Sequence, residues 1–100
     1  MLTSTLIICT KDRADDLQRC LDSVVTQTRL PDELIVVDSG SDNTVARVAA
    51  FREQAPTCAV VYLHSEPGLT IQRNVGIAKA SKDIVHFLDD DVILDSLYMD

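Results

Sequence analysis

Glycine is scarce in this 100-residue sequence, which holds only Gly40, Gly68 and Gly76. A phosphate loop of the GxxxxGKS or GxxxxGKT kind cannot be assembled from them, so no P-loop nucleotidase is expected. The GxGxxG fingerprint of standard dinucleotide folds is equally absent after the first apolar run. Cysteine is sparse too: Cys9, Cys20 and Cys58 form an odd count with no CxxC pair and no Cys/His cluster. That pattern argues against a disulfide framework or a zinc site. The three thiols read as small buried hydrophobes in a reducing compartment. No apolar run approaches ~18 residues, so no transmembrane segment is expected. Met1 is not followed by the basic and long apolar stretches of a secretory signal. The expected location is cytoplasmic, or peripheral to the membrane in a longer parent protein. Positive charge is in short supply. Nine Lys and Arg against sixteen Asp and Glu leave a formal net charge of −7. Such a balance disfavours nucleic acid and anionic membrane surfaces as partners. An anionic ligand would need local help, from a metal or from well-placed arginines.

What is present is a regular alternation. Apolar residues make up 46% of the chain, a globular rather than a disordered or coiled-coil composition. The length fits one domain over residues 1–100. The run TLIICT (5–10) reads as a buried strand. Leu17, Cys20, Leu21, Val24 and Val25 then repeat at helical spacing, with Asp12 as the expected cap and Asp15 and Asp16 favourable in the first turn. LIVVD (34–38) is a second strand. SGSDNT is a turn whose Asp42 is expected to cap a helix over about 44–53, with Val45, Val48 and Ala49 inward. AVVYLH (59–64) is a third strand, a helix follows over about 70–80, and DIVHFL (83–88) is the fourth strand. The order β-α-β-α-β-α-β predicts an α/β fold with a mainly parallel sheet and right-handed helical crossovers. The final stretch VILDSLYMD reads like the start of another helix, so the fold is expected to be truncated.

Ligands of open parallel α/β sheets bind beyond the carboxyl ends of the strands. Here those ends carry Thr10, Lys11, Asp12 and Arg13; Asp38 and Ser39; His64, Ser65 and Glu66; and Asp89, Asp90 and Asp91. Carboxylates therefore gather on one rim of an otherwise apolar sheet. Aspartate after a strand is often a turn former or a helix cap, and that reading suits Asp42 and Asp12. Three in a row are different. Like charges at that spacing repel and raise one another's pKa, so the run needs a positive partner. Hard oxygen ligands suit Mg²⁺ or Mn²⁺. A divalent ion there would reverse the repulsion and hold phosphates. A receiver domain of the phospho-aspartate kind would place an acidic pair after the first strand, where this chain has TKDR.

These segments, taken in order, resemble the family 2 glycosyltransferases, which have the three-layer α/β/α GT-A fold. LIICTKDRADDLQRCLDSV resembles their opening strand and helix, and LIVVDSGSDNT their second strand and aspartate-serine turn. GLTIQRNVGIAKASKDIVHFLDDDV resembles their Arg-Asn-x-Gly segment and DxD strand. The resemblance implies the N-terminal, nucleotide-binding half of a GT-A domain. It implies that Thr10 and Asp12 line a nucleotide pocket and that Asp38 accepts a hydrogen bond from the base or ribose. Arg73, in the first turn of its helix, would lie near the base or diphosphate. Asp89 and Asp91 would be the DxD pair, with Asp91 the direct metal ligand and Asp89 nearer the ribose. Asp90 would occupy the variable middle position of this nucleotide-sugar site. Asn74 and Gly76 would be structural, with close helix–sheet packing explaining the glycine.

The implied activity is inverting sugar transfer from a UDP- or dTDP-linked donor to an acceptor hydroxyl, with Mn²⁺ or Mg²⁺. The implied general base is an Asp or Glu beyond residue 100, so the chain alone is expected to bind without transferring. A stand-alone nucleotide or cation-binding module is the alternative from another class. A nucleotidyltransferase of related fold is a second, weakened by the missing glycine- and arginine-rich first loop. The resemblance also implies the strand order 3-2-1-4. That leaves the fourth strand at an edge and open to homodimer formation, with the 92–100 segment as a candidate for exchange.

Overall fold

The computed structural model describes residues 3–27 and 29–91. Its elements are β1 (Ser4–Thr10), α1 (Ala14–Val25), β2 (Glu33–Asp38), α2 (Thr44–Gln54), β3 (Ala59–His64), α3 (Leu69–Lys79) and β4 (Ile84–Asp89). The sheet order is β3-β2-β1-β4, and every neighbouring pair is parallel. Both the α/β class and the strand order agree with expectation. The segment 92–100, read above as the start of a helix, lies outside the described residues.

Strands buried on both faces need continuous rather than alternating apolar sequence. β1 and β2 meet that demand, with Leu6, Ile7, Ile8 and Leu34 through Val37 all inaccessible to solvent. The odd and even positions feed two separate cores. Leu6, Ile8, Leu34 and Val36 pack with Leu17, Leu21 and Val24 of α1 and Val48 and Phe51 of α2. Ile7, Ile35 and Val37 pack against Val75 of α3. Right-handed crossovers explain the division. The chain steps from β1 to β2 to β3 in one direction, which puts α1 and α2 on one face. It then returns across the sheet to β4, which puts α3 on the other. The result is three layers.

α3 lies unusually close to the sheet. A Cβ on Gly76 would stand 2.7 Å from the Cγ2 of Ile7. The glycine in this helix is therefore there for close packing, as expected. One helix differs from expectation. Val45 is exposed and Ala49 is exposed, while Thr44, Val48 and Phe51 face inward. The inward stripe was misjudged because alanines dilute the apolar pattern of α2, and Phe51 rather than Val45 supplies its bulk.

Two helix starts also differ. Asp12 was expected to cap α1, but it adopts a left-handed backbone at φ 52, which aspartate tolerates better than most residues. Its Oδ1 instead accepts the Ser41 N–H at 2.8 Å. The cap of α1 comes from the next loop: Asp42 Oδ2 accepts the Ala14 N–H at 3.0 Å. Asp42 Oδ1 meanwhile accepts the Thr44 hydroxyl at 2.6 Å and the Thr44 N–H at 3.3 Å. One aspartate thus serves both helix starts and ties the β1–α1 loop to the β2–α2 loop. Its pKa is held below the usual aspartate value, first by the Thr44 hydroxyl.

Candidate functional site

The strand order reverses between β1 and β4, because β1 leads to α1 on one face and β4 arrives from α3 on the other. A crevice forms beyond the carboxyl ends of the strands at such a point. Here it is a cavity of about 280 Å³ lined by Cys9, Thr10, Lys11, Arg13, Leu69, Gln72, Asp89, Asp90 and Asp91. The parallel register sets Cys9 opposite Asp89, so the ends of β1 and β4 bring Thr10 and the aspartate run together.

The three aspartates divide by environment. Asp90 turns inward and is buried, and its Oδ2 accepts the Thr10 hydroxyl at 2.8 Å. Burial raises its pKa above the usual aspartate value, against the opposing pull of Thr10 and Arg13. Asp89 and Asp91 remain exposed on the cavity side. The positive partner that the run requires is Arg13. Its guanidinium stands 3.5 Å from Asp90 and 3.7 Å from Asp91, while Nε and Nη2 donate to Asp16 at 3.1 and 2.9 Å. Asp16 is also paired with Arg19. The Arg13 bond holds the Asp16 pKa below its usual value. The sequence reading missed Arg13 in this role. Arg13 and Asp90 lie on the first and last strand ends, and no spacing rule joins them.

Gln72 was also missed. It is buried on α3, and its Nε2 donates to the carbonyls of Thr10 and Val37, each at 3.0 Å. The side chain fixes the ends of β1 and β2 under the cavity floor. A polar residue on the buried face of α3 was the available signal. Cys9 is half-buried there, and desolvation raises its thiol pKa, with the nearby Arg73 pulling the other way.

The other anticipated residues lie apart from this wall. Asp12 lines an adjoining cavity of about 570 Å³ with Asp15, Asp16, Arg19 and Asp42, and Arg13 is common to both cavities. Asp38 is buried. Its Oδ1 accepts the Gly40 N–H at 2.8 Å and its Oδ2 accepts the Tyr62 hydroxyl at 2.6 Å. Burial and that bond push the Tyr62 pKa up to about 12. Arg73 is exposed, one turn into α3, with its guanidinium 5.6 Å from the centre of the Phe87 ring. The structure thus joins Thr10 with Asp89, Asp90 and Asp91. It places Asp12 next door, Asp38 in the β2 turn and Arg73 over β4.

Among the described residues, no group of three or more His, Cys, Asp or Glu side chains is arranged to hold a metal ion. The two exposed carboxylates, Asp89 and Asp91, are nevertheless hard donors on an open wall. Such a set suits an ion that takes its remaining ligands from water and phosphate, as Mg²⁺ commonly does. No helix of the described residues is long and apolar enough to cross a membrane.

The sequence and the fold have counterparts among known proteins. The chain is 32% identical over 104 aligned residues to the uncharacterized glycosyltransferase YibD of Escherichia coli, covering 98% of this chain and 30% of YibD. The mannosyltransferase PcManGT of Pyrobaculum calidifontis, solved with GDP-Man and Mn²⁺, superposes with a TM-score of 0.79. It is 28% identical, over 90% of this chain and 28% of its own. The glucosyl-3-phosphoglycerate synthase of Mycobacterium tuberculosis, solved with Mn²⁺, UDP and glucosyl-3-phosphoglycerate, gives 0.68 and 28% identity. That match covers 89% of this chain and 33% of the synthase. The chain thus spans about a third of the length of these proteins. The family model for glycosyl transferase family 2 matches residues 5–97, nearly the whole chain, and the chain belongs to that family.

Proposed function

We propose that residues 1–100 form one unit, the donor-binding part of an inverting glycosyltransferase that transfers a sugar to an acceptor hydroxyl. The observation that carries this is the cavity at the β1/β4 reversal, where Thr10 and three aspartates meet on one wall. In this reading the donor is a nucleoside diphosphate sugar, UDP- or dTDP-linked. Its diphosphate lies against Asp89 and Asp91, which hold Mn²⁺ or Mg²⁺. When bound, such an ion supplies Lewis-acid stabilisation of the departing diphosphate.

The chain's own residues do the positioning. The Thr10 hydroxyl keeps Asp90 turned inward, which leaves its two neighbours facing the ligand. Gln72 holds the two strand ends beneath them. Asp12 and Asp38 take the base and ribose side of the pocket, and Arg73 takes the base or diphosphate. The Pyrobaculum and Mycobacterium relatives, solved with Mn²⁺ together with GDP-Man or UDP, support the ligand class. A cytoplasmic location, or one peripheral to the membrane, accompanies this reading.

Titration calorimetry tests it. UDP or dTDP is expected to bind in Mn²⁺ and to lose affinity at least tenfold in chelator. Asp91→Asn is expected to abolish the metal dependence, and Asp90→Asn to retain it. Equal affinity with and without metal would remove the ion from the site. Preference for GDP over both pyrimidine nucleotides would correct the donor.

A further inference from the structure

Among the described residues, Arg13 alone lines both cavities, and its guanidinium faces the carboxylates of Asp16, Asp90 and Asp91. One of these, Asp91, is with Asp89 proposed above to hold the metal. A guanidinium 3.7 Å from a carboxylate oxygen and a divalent ion bound to that carboxylate compete for the same charge. The inner carboxylate, Asp90, is buried and accepts the Thr10 hydroxyl through Oδ2. Asp16, with Arg19 beside it, already holds the guanidinium through bonds of 2.9 and 3.1 Å that do not involve Asp91. The side chain therefore has a place to stay when it releases Asp91.

We propose that Arg13 is a resident counter-ion of the aspartate run, which occupies Asp91 while the site is empty and yields it to the divalent ion. This rests on the donor-site reading and assigns a residue to the step before donor binding. Two consequences follow from the geometry. The empty site is not a bare acidic cluster, because its repulsion is already relieved by an internal cation. Binding of a metal alone is correspondingly weakened, and a ligand that brings a diphosphate along with the ion gives the displaced guanidinium a new anion nearby. The device favours joint entry of ion and nucleotide over capture of free ion.

The competing pair is largely exposed, and exposed pairs shift an equilibrium by a factor of about two to five. Calorimetry with Mn²⁺ alone is the measurement. Arg13→Gln is expected to tighten Mn²⁺ binding about two- to fivefold, and to reduce the gain in Mn²⁺ affinity that UDP confers on the unchanged protein. Lys11→Gln is the control, since it removes a positive charge from the same cavity wall. It is expected to tighten Mn²⁺ by less than Arg13→Gln. Circular dichroism spectra confirm that each variant is folded.

Equal tightening by Lys11→Gln would reduce the effect to net charge and overturn the proposal. Unchanged or weaker Mn²⁺ binding by Arg13→Gln would overturn it too, while leaving the donor site standing if UDP still binds with metal. Failure of every variant to bind Mn²⁺, with or without UDP, would overturn both readings.

Discussion

At the scale of single residues, chemistry that repeats along the sequence was legible and chemistry that depends on folding was not. The aspartate run announced that a positive partner was needed, but Arg13 is joined to it only because β1 and β4 are neighbours. Asp38 and Asp42 were legible as turn residues, yet their partners Tyr62 and Ala14 come from other elements. Glu33 shows the same limit at the opposite end of the sheet. It is buried and accepts the Thr5 hydroxyl at 2.8 Å. It also accepts the Ser81 N–H and hydroxyl, both at 3.1 Å. Burial alone would raise its pKa. The bonds from Thr5 and Ser81 outweigh burial and hold it below the usual glutamate value. A carboxylate with a lowered folded pKa adds stability above its unfolded value, near ~4.3, and loses it as pH falls through the folded one. Glu33→Gln is therefore expected to cost about 1.5–3 kcal/mol at pH 7, the scale of hydrogen bonds to a charged group. The gap between the two proteins should close as pH falls below ~4. Urea denaturation across that range checks it, and a gap that stays constant would show that charge on Glu33 contributes nothing.

At the scale of elements, periodicity worked where bulky residues mark the face and failed where they do not. Leu17, Cys20, Leu21 and Val24 of α1 were assigned inward and are buried. α2 has two adjacent alanines at its centre, and of the residues expected inward Val48 is buried while Val45 and Ala49 are exposed. Gly76 lies between these cases. A glycine costs a helix ~1 kcal/mol relative to alanine, which suggested a packing reason without naming the partner. The partner is the Cγ2 methyl of Ile7, fixed to the β-carbon of a central strand and unable to swing aside. Gly76→Ala regains helix propensity, but a Cβ at 2.7 Å forces α3 away from the sheet. Overpacking of that kind costs about 1–3 kcal/mol. The net expectation is a thermal midpoint lowered by several degrees, given ~4–8 °C per kcal/mol in a domain of this size. A midpoint raised by the alanine would show that α3 can lift without loss.

At the scale of the whole molecule, alternating elements specified a parallel sheet but not its strand order, since several right-handed arrangements satisfy the same alternation. The order came from family resemblance, and the structure adds its consequence at the β4 edge. Among the described residues, β4 pairs only with β1, and its outer edge has no partner strand. Ile84, Val85 and Phe87 are 38%, 36% and 39% exposed, so the strand offers apolar side chains on both faces. β3 closes the other side of the sheet with Val60, Val61, Tyr62 and Leu63 all half-buried. Both β3 and β4 are edge strands among the described residues, and in this 100-residue chain, about a third of its relatives' length, β4 is the more exposed of the two. We propose that two copies of the chain associate through β4. The 92–100 segment, considered above for exchange between copies, lies outside the described residues. Sedimentation equilibrium over a concentration series should show a monomer–dimer equilibrium. Val85→Lys should abolish it, because an edge lysine cannot be buried in the joint sheet without losing its hydration. Lys11→Gln, which alters the cavity and leaves β4 untouched, should not. A monomer at every concentration would mean that the edge is closed within a single chain. A dimer that survives Val85→Lys would move the interface elsewhere.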